Sequence, residues 1–343
     1  MAVAEPARAP ERIWSHTSEA LKLLRRLQEL RTLPAFPDGY SEEVKRIQER
    51  LHLLRRRGAS PKAWDVVQLA RHQDRPQTLD YIAQWLPDFV ELKGDRLRGD
   101  DSAIVGGLGT LGSRRIILVG HQKGHTLEER QERSFGMARP EGYRKAMRLA
   151  RLADKFGLPL VTLVDTGGAY PGKDAEEGGQ AGAIATSILT FTGLKIPTVT
   201  VIIGEGGSGG ALALAVCDRV LMLENSIYSV ISPEGCAALL WRDSAEAPKA
   251  AEALHLTAID LFELGLIDGV IPEPTGGAHT NHRATAKRVV RQVQLAIGEL
   301  ERLDPEERLR LRHEKYLRMG KWAMEPGSSG TPGDAPPQAT NSR

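Results

Sequence analysis

Residues 197–216 read PTVTVIIGEGGSGGALALAV, an apolar run, a cluster of glycines and a second apolar run in succession. Residues 197–203 are a continuous apolar, β-branched run, the pattern of a strand buried on both faces. Residues 204–210, GEGGSGG, carry five glycines in seven positions and read as a glycine loop. Residues 211–216 begin the helix that follows. A strand that ends in a glycine turn and feeds a helix is one step of an α/β fold with parallel strands.

The same step recurs earlier in the chain. Residues 160–164 are a second buried strand, followed by DTGGAYPG at 165–172 and a helix over about 180–191. Before it, residues 141–156 predict a helix with Ala146, Leu149, Ala150 and Ala153 on one face and Gly157 just past its end. Residues 103–111 and 114–121 are two strands joined by Gly112-Ser113, a two-residue hairpin signal. Short strands follow at 220–223 and 227–231. The fold class is therefore α/β, with the glycine-rich core over 96–282.

Helices flank this core. Within 1–95, Leu23, Leu24, Leu27 and Leu30 repeat at helical spacing, as do Val44, Ile47, Leu51 and Leu54, with Pro34 and Pro37 between the two runs. An antiparallel pair follows, capped by Ser41 and closed by Gly58. Residues 283–325 are helical again, and Asp304-Pro305 is an N-cap with proline at the first helical position. Residues 326–343, PGSSGTPGDAPPQATNSR, could build no core and are predicted to be disordered.

Composition narrows the function classes. Forty-six basic against 44 acidic residues give a net charge of +2, so nucleic acid is not an expected partner. Two cysteines, Cys217 and Cys236, exclude zinc ribbons and disulfide frameworks, and no metal site is expected. The N-terminus has no apolar signal region, and no apolar run reaches the roughly 20 residues that span a bilayer. A cytoplasmic location follows by elimination.

Two motifs need weighing. GLGTLG at 107–112 satisfies the dinucleotide pattern, but another strand follows it at once, so no helix N-terminus is there to hold a pyrophosphate. GGSGG at 206–210 satisfies the nucleophile-elbow pattern, with Asp268 and then His279 or His282 in a permitted order for a triad. With 35 glycines in the chain that match is weak, and a serine hydrolase built on Ser208 stays as the alternative class. The more general reading is an oxyanion site made of backbone, because the first N–H groups of a helix lack intrahelical partners and face a positive dipole end. The turns at 165–172 and 204–210 follow successive strands, so both belong at the carboxyl edge of the sheet, where parallel sheets bind ligands.

The wording of these segments resembles the alpha subunits of bacterial acetyl-CoA carboxylase carboxyltransferase, members of the crotonase-like superfamily. The match rests on GHQKG at 120–124, FGM at 135–137, PEGYRKA at 140–146, GEGGSGGA at 204–211, YSVISPEGC at 228–236 and IPEPTGGAH at 271–279. It runs over about residues 65–285 and more loosely into both ends. One departure is Gly167, where the family pattern leads us to expect proline.

The resemblance implies a crotonase-like core of repeated strand-strand-helix units. It also implies transfer of a carboxyl group from carboxybiotin to acetyl-CoA, giving malonyl-CoA for fatty acid synthesis. The carboxybiotin would be supplied by the biotin carboxyl carrier protein. The biotin carboxylase component would spend the ATP. A carboxyltransferase beta subunit would complete the site in an α2β2 assembly and carry the only zinc. By resemblance, the backbone amides of Gly206 and Gly207 form the oxyanion hole. Gly167, Gly168, Ala169, Tyr170 and Gly209 would shape the cleft, and Ser232, Pro233 and Glu234 would wall the biotin pocket, unless the first two are a plain helix start. His121 and Lys123 would attract an anionic group or simply end a strand. Glu205 reads as a carboxylate that fixes the loop, or as a base.

Overall fold

The computed structural model describes residues 62–320 together with eight positions between Leu23 and Arg50. The predicted helix pair before Gly58 lies outside the described residues except at those positions, one of which, Ile47, is buried in the core. The predicted tail at 326–343 lies outside them entirely.

Two helices, α1 (Ala63–Ala70) and α2 (Thr78–Trp85), lead into a short strand β1 (Val90–Glu91). The hairpin follows as β2 (Ile104–Leu111) and β3 (Arg114–His121), antiparallel and in full register about the Gly112–Ser113 turn. Two helices, α3 (Leu127–Glu132) and the long α4 (Pro140–Phe156), return the chain to β4 (Leu160–Thr166). Proline at N1 starts α4 and the left-handed Gly157 ends it. Then come α5 (Lys173–Glu177), α6 (Gln180–Thr192), β5 (Thr198–Gly207) and α7 (Ser208–Ala215). Strands β6 (Arg219–Leu223) and β7 (Ile227–Ser229) precede three helices: α8 (Pro233–Trp241), α9 (Ala247–Leu254) and α10 (Ala258–Glu263). Strand β8 (Gly269–Ile271) and helices α11 (His282–Leu300) and α12 (Pro305–Leu317) complete the described chain.

The eight strands form one sheet in the order β1-β2-β3-β4-β5-β6-β8, with β7 added to the far end of β5. From β3 onward every pairing is parallel. Period-2 alternation fills two apolar layers from one strand. Ile117 and Val119 of β3 join the layer under α4, α6 and α7, whereas Ile116 and Leu118 join the layer under α2 and α11. The GLGTLG segment lies in β2 and its turn, with β3 directly after it, so it opens no helix.

The structure moves one boundary that matters. The expected loop at 204–210 is not a loop: β5 continues through Gly207 and α7 starts at Ser208 rather than at 211. The extension forms because neighbours pair with it on both sides. Gly206 registers with Thr166 of β4 and with Tyr228 of β7.

Candidate active site at the carboxyl edge of the sheet

The two glycine turns meet at this edge and pack on each other. A Cβ at Gly207 would lie 2.2 Å from the backbone carbon and oxygen of Gly167, and one at Gly210 would lie 2.6 Å from the carbonyl carbon of Gly168. Only glycine permits that approach. The 166–168 turn is pinned by the Thr166 hydroxyl, which accepts from the Gly168 N–H at 3.1 Å and donates to its carbonyl at 2.7 Å. Gly168 has φ of 152°, a conformation that L side chains rarely adopt. Ser208 takes φ of 47°, so the strand breaks sharply into α7. Gly206 is buried, Gly207 and Gly209 are half-buried, and Gly167 is exposed.

Beside the turns, Ala169 packs on the core and Tyr170 is held by its backbone. The Tyr170 N–H donates to Ala138 at 3.0 Å, and its carbonyl accepts from Gln180 at 3.0 Å. The Arg139 guanidinium lies 4.0 Å from the Tyr170 ring centroid. On the other flank, Ser232 caps α8 by accepting from the Gly235 N–H, and Pro233 takes the N1 position. These two do serve as a helix start, and that start stands next to the glycine elbow through Glu234.

Charges converge behind the elbow. The Lys123 ammonium lies 2.7 Å from Asp165 and 2.8 Å from Glu205. Arg71, the residue that ends α1, lies 2.7 Å from Glu205 through Nε and 2.5 Å from Glu234 through Nη1. Asp165 also accepts the Glu205 N–H at 2.9 Å. Burial pushes the Glu205 carboxyl up, but Lys123 and Arg71 outweigh it and hold it at about 2. A carboxylate so held is a poor proton acceptor near neutral pH, so of the two readings of Glu205 the geometry favours the fixing one. Burial opposes the charge on Lys123, and Asp165 and Glu205 more than restore it, raising its pKa above the ordinary lysine value. Lys123 is thus committed to two carboxylates. His121 is fully buried, and burial together with the Lys123 charge lowers it to about 3, so the ring is neutral.

The triad alternative does not assemble. Asp268 sits before β8 and accepts from the Val220 N–H near the start of β6, at the amino edge of the sheet, and it pairs with Lys315 at 2.8 Å. Ser208 lies at the opposite edge, where β5 ends. His279 stacks on His72 with 3.8 Å between centroids, and the His282 ring contacts the Asp74 carbonyl.

Sequence reading did not single out Arg71 or Asp165. Asp165 had a readable signal, because it stands at the end of a buried apolar strand directly before the glycine turn. Arg71 had none, since it lies 134 residues from Glu205 in the chain.

Comparison with known proteins fixes the family. The family profile described as acetyl co-enzyme A carboxylase carboxyltransferase-like matches residues 15–320. The chain belongs to that family. It is 52% identical over 305 residues to an acetyl-coenzyme A carboxylase carboxyl transferase subunit alpha of Thermus thermophilus, covering 88% of this chain and 96% of that one. Against the corresponding subunit of Rhodospirillum centenum it is 52% identical over 298 residues, covering 86% and 94%. Among solved structures, transcarboxylase 12S with methylmalonyl-coenzyme A and methylmalonic acid bound superposes with a TM-score of 0.55 at 19% identity, over 79% of this chain and 47% of that one. The beta subunit of geranyl-CoA carboxylase from P. aeruginosa gives 0.51 at 16%, over 81% and 54%. At those identities the likeness concerns the fold, which is that of carboxyltransferase domains. The chain functions as a carboxyltransferase alpha subunit of acetyl-CoA carboxylase, so the expected fold and activity hold.

Proposed function

We propose that this subunit, working in the cytoplasm with a beta subunit, moves the carboxyl group of carboxybiotin to acetyl-CoA at the glycine elbow. The N–CO2 bond of carboxybiotin breaks and a C–C bond forms at the acetyl methyl carbon. The methyl proton leaves and ends on the liberated biotin nitrogen, so biotin and malonyl-CoA are the products. Negative charge builds transiently on the ureido oxygen and on the thioester oxygen. The backbone amides of Gly206 and Gly207, at the positive end of α7, are suited to hold the first of these. Gly167, Gly168, Ala169, Tyr170 and Gly209 shape the adjoining wall, and Ser232, Pro233 and Glu234 the other flank. Carboxybiotin comes on the biotin carboxyl carrier protein, and the biotin carboxylase component reloads it with ATP.

The observation that carries this reading is the back-to-back packing of the two glycine turns at the carboxyl edge of the sheet, with backbone against backbone and no side chain between them. Partner docking is supported by α8, where Leu239 and Leu240 are 76% and 66% exposed, as apolar side chains at a subunit contact often are.

The test is a pair of variants assayed in the assembled alpha–beta complex. Gly207→Ala puts a methyl group where the Gly167 backbone stands, so kcat should fall on the order of a hundredfold or more, as when one oxyanion donor is lost. Ser208→Ala keeps its N–H and should retain a substantial fraction of the rate. If Ser208→Ala abolishes turnover in an intact complex while Gly207→Ala is mild, the backbone assignment is wrong.

A further inference from the structure

The charges behind the elbow form a device whose geometry points beyond fold stability. Lys123 lies just past the end of β3, Asp165 near the end of β4, and Glu205 near the end of β5. One ammonium therefore joins three adjacent strand ends, at 2.7 and 2.8 Å. Each oxygen of Glu205 meets a different cation, Oε1 the Arg71 guanidinium and Oε2 the Lys123 ammonium. Its own N–H is taken by Asp165. Glu205 is thus fixed at backbone and side chain, and the next two residues are Gly206 and Gly207. Arg71 spends the rest of its fork on Glu234 in the first turn of α8, at 2.5 and 3.2 Å. The elbow and the start of α8 are thereby coupled through a single planar group.

We infer that Glu205 is a positioning residue for carboxyl transfer, held by Lys123 and Arg71 so that the Gly206–Gly207 amides keep their aim and α8 keeps its distance from them. This rests on the reading of those amides as oxyanion donors. The charges separate aim from field. Two cations face three carboxylates, a net charge of −1, so neutralising Glu205 brings the cluster to zero and would help an adjacent oxyanion electrostatically. A loss of rate on neutralisation therefore reports lost position.

The experiment uses the alpha–beta complex, with acetyl-CoA and carboxybiotin as substrates and the rate followed from pH 5 to 9. Glu205→Gln should lower kcat on the order of a hundredfold, as a misplacement of about 1 Å does, with KM for acetyl-CoA little changed. The shape of the pH profile should not change. A carboxyl held at about 2 adds its full stability above the unfolded carboxylate range and loses it progressively as pH falls from that range through 2, and it stays ionised throughout this window. Arg71→Lys, which keeps the charge but not the fork, should retain more activity than Arg71→Met. If Glu205→Gln fails to assemble, that ranking decides, and equal losses in the two Arg71 variants overturn the inference. Loss of a limb of the pH profile in Glu205→Gln would make Glu205 a base and likewise overturn it. If Glu205→Gln and Arg71→Met both keep near-normal kcat while Gly207→Ala inactivates, the clamp is wrong and the elbow reading stands. If Gly207→Ala is mild as well, the elbow reading itself has failed.

Discussion

Gly167 shows how a single residue can be read twice. The resemblance leads us to expect proline there, and the structure says what a glycine changes. Its φ is negative, it is exposed, and no described atom lies within 4 Å of where its Cβ would stand. Thr166 before it ends β4 in extended backbone, the conformation that a following proline favours. Gly167→Pro should therefore stabilise the chain by about 0.4–1 kcal/mol through the unfolded state. A differential-scanning measurement should show Tm rising by about 2 °C. A fall would mean that the native φ is far from the proline value. Gly207, forty residues on, is the opposite case, since its hydrogen atom touches the backbone of Gly167 and no side chain fits.

Elements are held by contacts of another kind. Helix α12 is seated by Arg312, which is fully buried, meets Asp218 at 2.8 Å through Nε, and donates to the carbonyls of Phe191, Leu194 and Ile196. Asp218 also accepts from the Thr198 N–H and hydroxyl, so the pair joins α12 to the start of β5. Arg312→Met leaves that carboxylate buried without its cation and should cost about 3–5 kcal/mol, read as a lower midpoint in urea unfolding. An unchanged midpoint would mean that Asp218 is already satisfied by Thr198. The same scale explains what is legible in the sequence. Strands β2 to β6 are readable because most of their positions are buried on both faces and apolar or β-branched residues dominate each run. The end of β5 is not, because glycines carry no strand propensity and only pairing with β4 and β7 extends it. Helix α8 shows only its start, because Cys236, Ala237, Leu239 and Leu240 stand close together with no polar face between them, and α9 and α10, at eight and six residues, are too short to show a helical period. The glycine turns can be placed at the carboxyl edge of the sheet from the buried strands that precede them. The clamp cannot be, since salt bridges between residues 82 and 163 positions apart leave no local pattern.

For the whole molecule, the reading of one carboxyltransferase domain per chain makes a direct prediction. Purified alone, the chain should turn over neither acetyl-CoA with carboxybiotin nor, in reverse, malonyl-CoA with biotin, and activity should appear on titration with a beta subunit. Clear turnover by a verified single-chain preparation would overturn the need for a partner. The order in which the chain closes on itself also has a cost in time. Arg75 is buried, 2.6 Å from Glu273 and 2.9 Å from the Ile203 carbonyl, and its principal partner lies 198 residues downstream. A ribosome adding 5–20 residues per second needs roughly 10–40 s to cover that distance. For that interval the nascent segment around α1 and α2 has nowhere to put a guanidinium meant for the interior. It must wait in water, available to chaperones, until Glu273 has been added.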